Sequence, residues 1–165
     1  TLYVARQAAH IGKMEKCSSQ QMDILVAAAL WHDTGFIHIY DGHELESCRL
    51  AREQLPQFGF LTKEIETVCG IIMATRYPQQ PYTKLECIVA DADLEYLGTE
   101  NAVAFAQKLY EELKQTGMLK NEEEWNRKQL VFLQTHRYHT AWCKKHREPA
   151  KQQYLKTLLV WQEKH

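Results

Sequence analysis

Met22-Asp23-Ile24-Leu25-Val26-Ala27-Ala28-Ala29-Leu30-Trp31-His32-Asp33 is the stretch on which the reading of this chain turns. Up to Trp31 it is apolar on nearly every face, and in a soluble protein a helix of that kind belongs at the centre of a helical core. It then ends on an imidazole beside a carboxylate. An ionised Asp33 at that place is costly to desolvate unless something pairs with it. A divalent cation is one such partner, with His32 giving a neutral ring nitrogen and Asp33 a hard oxygen. That mixed donor set suits Mn, Fe, Co, Ni, Zn or Mg rather than a thiolate-loving ion. A plainer reading has His32 interacting with the last carbonyls of the helix as a C-terminal cap.

Working outward, the rest of the chain also reads as helices. Seven Gly, four Pro and almost no alternating β-branched stretches give strands little support. Leu2, Val4, Ala5, Ala8, Ala9 and Ile11 suit a first helix that Gly12 weakens near its end, and Ser18 or Ser19 can cap the central one. Thr34 to Gly42, with two glycines, two aromatics and an Asp, is a loop around the mouth of whatever His32 and Asp33 face. A third helix carries Leu45, Cys48, Leu50, Ala51 and Leu55 and closes at Pro56 and Gly59. Thr62 to Ala74 makes a fourth, and Tyr77 to Pro81 breaks the pattern. A fifth runs from about Thr83 through Leu97 to a stop at Gly98. Ala102 to Leu113, Glu122 to His139 and Ala150 to Trp161 complete an all-α, single-domain bundle of about eight helices over residues 1–165.

Composition narrows the function classes. Twenty Lys+Arg against 21 Asp+Glu leave a net charge of -1, which gives no global field for double-stranded nucleic acid or a membrane surface. No apolar run approaches the roughly 20 residues needed to cross a bilayer. The opening residues lack a signal-peptide pattern, and a cytoplasmic location is expected. The five cysteines are an odd set with no CxxC pair, so buried free thiols are expected rather than disulfides or a zinc knuckle.

A second acidic cluster, Asp91-Ala92-Asp93, lies on the otherwise apolar fifth helix. Carboxylates on a core-facing helix need cations or donors. The simplest shared partner is a metal ion between this helix and the one ending in His32-Asp33. His136 and His139 offer an i, i+3 pair with no nearby acid or cysteine, so they are read as a polar helix face.

Three strings then carry a resemblance. Ala27-Ala28-Ala29-Leu30-Trp31-His32-Asp33-Thr34-Gly35 resembles the hallmark helix end of HD-superfamily phosphohydrolases. His43-Glu44-Leu45-Glu46-Ser47, followed by Ala51-Arg52-Glu53-Gln54-Leu55, is similar to the next helix in one bacterial branch. Ile88-Val89-Ala90-Asp91-Ala92-Asp93-Leu94-Glu95-Tyr96-Leu97-Gly98 resembles that branch's closing motif. The three cover residues 22 to 98 in the right order; the part after Gly98 is less diagnostic.

The resemblance implies a helical metal-dependent phosphohydrolase with His32, Asp33 and Asp93 as ligands of one divalent ion, Asp91 being the alternative to Asp93. It puts Tyr96 near the substrate. His43 or Glu44 would orient an attacking water as general base, or Glu44 simply favours the start of its helix. Arg76 or Arg49 would offset phosphate charge, and Trp31, Phe36, Tyr40, Tyr77 and Tyr96 could frame a base or another apolar group. Two departures matter. The family's first histidine ligand, typically followed by Thr, would fall just before Thr1, and His10 is a poor substitute. The paired histidines of binuclear members are replaced by Met73-Ala74-Thr75-Arg76, which implies one metal rather than two. The expected partner is a small phosphorylated substrate, a phosphate monoester, phosphodiester or nucleotide, and a homo-oligomer stays open. The competing expectation is a regulatory or interaction module that keeps the fold without the chemistry, and a lyase or hydratase on the same scaffold is a third.

Overall fold

The computed structural model describes residues 1–163. Its α-helices are α1 (Leu2–Met14), α2 (Ser19–Trp31), α3 (His43–Gln54), α4 (Thr62–Ala74), α5 (Lys84–Asp93), α6 (Ala102–Gln115), α7 (Glu122–Thr135), α8 (Ala141–His146) and α9 (Glu148–Gln162), with short 3-10 turns at Thr34–Ile37, Leu55–Phe58 and Glu95–Gly98. No strand occurs among the described residues. The fold is all-α, as expected. The chain forms two compact units, Thr1–Leu94 with His139–Trp142, and Glu95–Tyr138 with the chain from Cys143 on.

In the first unit α2 packs against α1, α4 and α5. Ile24, Leu25, Ala27, Ala28 and Ala29 are all buried, and the alanine run lets neighbouring backbones approach closely. Gly12 serves the same purpose on α1, since a Cβ there would stand 2.8 Å from Leu25 Cδ1. Ser18 is the residue that caps α2: its Oγ accepts the Gln21 N–H while Gln21 Oε1 accepts the Ser18 N–H. Thr83 and Glu86 form the same reciprocal cap on α5.

Two helices stop earlier than their apolar pattern suggests. α5 ends at Asp93, and the chain tightens into the 3-10 turn Glu95–Gly98 instead of continuing to Leu97. α7 ends at Thr135, where His136 turns extended, rather than at His139. The cause of the second stop is in the tertiary structure: the buried Asp91 carboxylate accepts the backbone N–H groups of His139 and Thr140. Those donors are thereby withdrawn from any continuation of α7, and α8, a helix absent from the sequence expectation, starts directly after them.

In the second unit α7 packs on α9, and both α6 and α9 pack on the turn Glu95–Gly98. Tyr110, Leu130, Leu133, Tyr138, Leu155 and Leu158 are buried there. So are two charged groups. Glu95 pairs with Arg147, and the fully buried Lys151 donates to the His136 carbonyl at 2.9 Å and lies 3.0 Å from Glu148 Oε2. No described helix is long and apolar enough to cross a membrane.

Candidate functional site

His32 follows the last residue of α2, and its ring has two different surroundings. Nδ1–H donates to the Ala29 carbonyl at 2.9 Å, which is the capping contact expected of a histidine at a helix C-terminus. That bond leaves Nε2 of the neutral ring as the lone-pair nitrogen. Nε2 is buried and makes no hydrogen bond. Its neighbours are acidic: Asp33 Oδ2 at 3.1 Å and Asp93 Oδ1 at 3.4 Å. Adjacent ligands of an octahedral or tetrahedral ion with bonds of about 2.1 Å lie about 3.0 to 3.4 Å apart, so the two separations have the size of coordination edges.

The charges respond to one another. Burial disfavours a charged His32, but Asp33 and Asp93 outweigh it and push the imidazole up to about 10. Burial likewise raises Asp33, yet His32, together with the charge of His43, brings its carboxyl below the ordinary value. In the chain by itself, a proton on His32 supplies the positive charge that these carboxylates require.

The structure divides the two acids of α5. Asp93, the last residue of that helix, is turned toward His32 with a quarter of its side chain exposed. Asp91 is fully buried and engaged elsewhere: its carboxylate accepts the N–H groups of His139 and Thr140, each at 2.8 Å, and the Thr140 hydroxyl at 2.6 Å. Burial pushes the Asp91 carboxyl up against the pull of those donors. Its work is to hold a distant piece of chain.

The loop and helix after Asp33 are tied to this place by Ser47. Its hydroxyl donates to the His32 carbonyl at 2.7 Å and accepts the Gly35 N–H at 2.8 Å. Gly35 is obligatory there, because a Cβ would fall 2.0 Å from the His43 carbonyl oxygen. Gly42, at φ 77°, turns the chain into α3 and sets His43 and Glu44 in its first turn. His43 Nδ1 lies 3.2 Å from the Tyr40 carbonyl, and Nε2 lies 3.6 Å from Asp33 Oδ1 and 3.7 Å from Glu44 Oε1. Its ring stacks on Phe36 with centroids 3.6 Å apart. Ser47 belongs to the recognised string, but nothing in its spacing announced a double hydrogen bond to two other segments.

The other expected residues lie apart from this group or are engaged. Arg76 is exposed just past α4. Arg49 is held by Glu46 and Glu53, and His38 is bonded to Glu46. Tyr96 belongs to the second unit, where its ring packs against Phe105. His10 is exposed and sits edge-on to Trp142 at 4.8 Å. The reading of His136 and His139 as one polar helix face is corrected, because both follow the end of α7 and His136 is buried against Lys151. All five cysteines are free thiols, three of them buried.

Among the described residues, no group of three or more His, Cys, Asp or Glu side chains is arranged to hold a metal ion. His32 thus forms two separate edges with its acidic neighbours, short of a closed three-point set. No curated protein and no solved structure matches the chain. A family model does: the HD domain, over residues 1–95.

Proposed function

Since the chain belongs to the HD-domain family, whose fold is typically that of a metal-dependent phosphohydrolase, we propose that it hydrolyses a phosphate monoester, phosphodiester or nucleotide, using one divalent ion held by His32, Asp33 and Asp93. The observation that carries this reading is the buried Nε2 of His32, which lacks a hydrogen bond and stands at coordination-edge distance from the carboxylates of Asp33, next to it in the chain, and Asp93, at the end of α5. The Ala29 carbonyl satisfies the other ring nitrogen, and the donor set left, one imidazole nitrogen with two carboxylates, fits a hard or borderline cation.

A divalent ion held by His32, Asp33 and Asp93 would supply Lewis acidity for activating water and polarising a phosphoryl oxygen. The chain's own residues do the rest. Ala29 and Ser47 fix the ring and backbone of His32, so that Nε2 is aimed before any ligand arrives. His43, with Nδ1 on the Tyr40 carbonyl, presents Nε2 to Asp33 and Glu44 and is placed to take up a proton from an attacking water. Glu44, buried in the first turn of α3, is the acid that would steady the resulting imidazolium.

One observation favours the second reading, a regulatory or interaction module that retains the fold without turnover: no three ligand side chains close around one point among the described residues. Metal analysis followed by phosphatase and nucleotidase assays with Mn, Co, Ni and Mg separates the two. The hydrolase reading expects about one ion per chain and metal-dependent turnover that Asp33→Ala abolishes. Absence of both ion and turnover, with partner binding intact in Asp33→Ala, establishes the module instead.

A further inference from the structure

Resting on the phosphohydrolase reading, we propose that Phe36 and Tyr40 form a stacking platform that selects substrates whose phosphate is attached to a planar, aromatic group. The loop that follows Asp33 presents an unusual amount of ring surface to solvent, with Phe36 44% exposed and Tyr40 53% exposed. The two rings lie 5.3 Å apart at 55°, and one face of Phe36 is already covered by His43 at 3.6 Å in a near-parallel stack. The Phe36 ring is thereby backed by a neighbour before a ligand arrives, which removes part of the ordering cost of binding.

Its position links it to the chemistry. The imidazole that supports Phe36 also places Nε2 3.6 Å from Asp33 Oδ1, so a single side chain separates the platform from the proposed ion. A phosphate held at Asp33 would leave its organic end over the aromatic ledge. That ledge offers little else. Residues 34–42 contain no Lys or Arg, and the one basic side chain, His38, is bonded to Glu46 together with Arg49. Affinity for the organic group therefore comes from ring stacking and apolar contact rather than from charge. Ile37 and Ile39, 77% and 45% exposed, extend the apolar rim.

Contact of this type is the same in the ground state and the transition state, so the contribution of Phe36 is read in binding affinity. The test uses a matched pair of non-hydrolysable probes, phenylphosphonate and methylphosphonate, titrated calorimetrically into Mn-loaded protein. Phenylphosphonate is expected to bind about tenfold more tightly, as one stacked ring warrants. Phe36→Ala should abolish that preference while methylphosphonate and Mn affinities shift less than about twofold, and Phe36→Trp should keep it. Circular dichroism confirms that each variant folds. Equal affinities for the two probes, an undiminished preference in Phe36→Ala, or a concentration-dependent dimer that buries Phe36 would each overturn the platform while leaving the hydrolase reading intact. If Mn loads and neither phosphonate binds, the platform also fails; if Mn does not load, the phosphohydrolase reading falls with it.

Discussion

His32 Nε2 and Asp93 Oδ1 stand 3.4 Å apart, one at the end of α2 and the other at the end of α5, whereas Asp91, two residues earlier, is bonded to the backbone of His139 and Thr140. The two acids should therefore fail in different ways. Asp93→Asn is expected to lower Mn or Co affinity at least about tenfold with little change in melting temperature. Asp91→Asn should do the opposite, costing about 1 to 3 kcal/mol because three donors lose a charged acceptor in the core. Calorimetric titration and thermal melts of both variants check this. The reverse pattern would give the ligand role to Asp91.

Metal uptake should release a proton. His32 is held up to about 10, against an ordinary 6.5, so near neutral pH the metal-free ring is protonated and an ion must displace that proton. Titrations in buffers of different ionisation enthalpy should report about one proton per ion at about pH 7, with affinity rising as pH rises. In the metal-free protein the sign is opposite. A histidine whose folded value is raised contributes stability that is fully present below about 6.5 and is lost as pH climbs toward about 10. His32→Gln removes both dependences; metal binding without proton release would contradict the first.

By the resemblance read from the sequence, the family's first histidine ligand would fall just before Thr1. A chain with one histidine placed ahead of Thr1 is expected to bind Mn or Co about tenfold more tightly than one with alanine there, a difference lost in Asp33→Ala. Equal affinities for the two extended chains would remove that position from the ligand set.

Gly35→Ala tests how tightly the loop is drawn against α3. The added Cβ would meet the His43 carbonyl oxygen at 2.0 Å and the Ser47 nitrogen at 2.9 Å. A destabilisation of about 3 kcal/mol is expected, with loss of the Ser47 bridge. Gly59→Ala meets nothing within 4 Å and should show only the cost of its positive φ, which makes it the control in denaturant melts.

The thiols should separate into two classes. Burial, reinforced by Cys69, pushes Cys48 up to about 12, and Cys69 is raised as well. Each sulfur also contacts the other's carbonyl, at 3.4 and 3.6 Å. An aromatic disulfide reagent at about pH 8 is expected to label Cys17 and Cys87 in the folded protein, and Cys48, Cys69 and Cys143 only on unfolding. Rapid labelling of Cys48 would show that α3 and α4 open readily.

Much of this was legible in the sequence because the signals were local. The apolar run ending at His32, the cap at Ser18 or Ser19, the start of the fifth helix at about Thr83, and the stripe on α4 each depend on neighbours a turn or two away, and the structure has each, with Ser18 as the cap. The missed features have distant causes. The stop of α7, the existence of α8 and the structural duty of Asp91 all follow from one carboxylate reaching donors 48 and 49 residues ahead, which no periodicity encodes. Lys151 reads as a surface lysine on an amphipathic helix and is fully buried because His136 and Glu148 satisfy it. For the candidate site, the acidic cluster on the fifth helix pointed to acids shared with His32 and the resemblance favoured Asp93 over Asp91, but the structural work of Asp91 is visible only once the chain returns at residues 139–142.

That return bears on any attempt to dissect the protein. A fragment cut at residue 95, where the family match ends, would keep the Asp91 carboxylate and discard the three donors at His139 and Thr140 that reach it. Such a fragment is expected to melt lower than one in which the short 139–142 peptide is spliced back or position 91 is made apolar. A truncation meant to keep this unit whole would therefore join two separated parts of the gene.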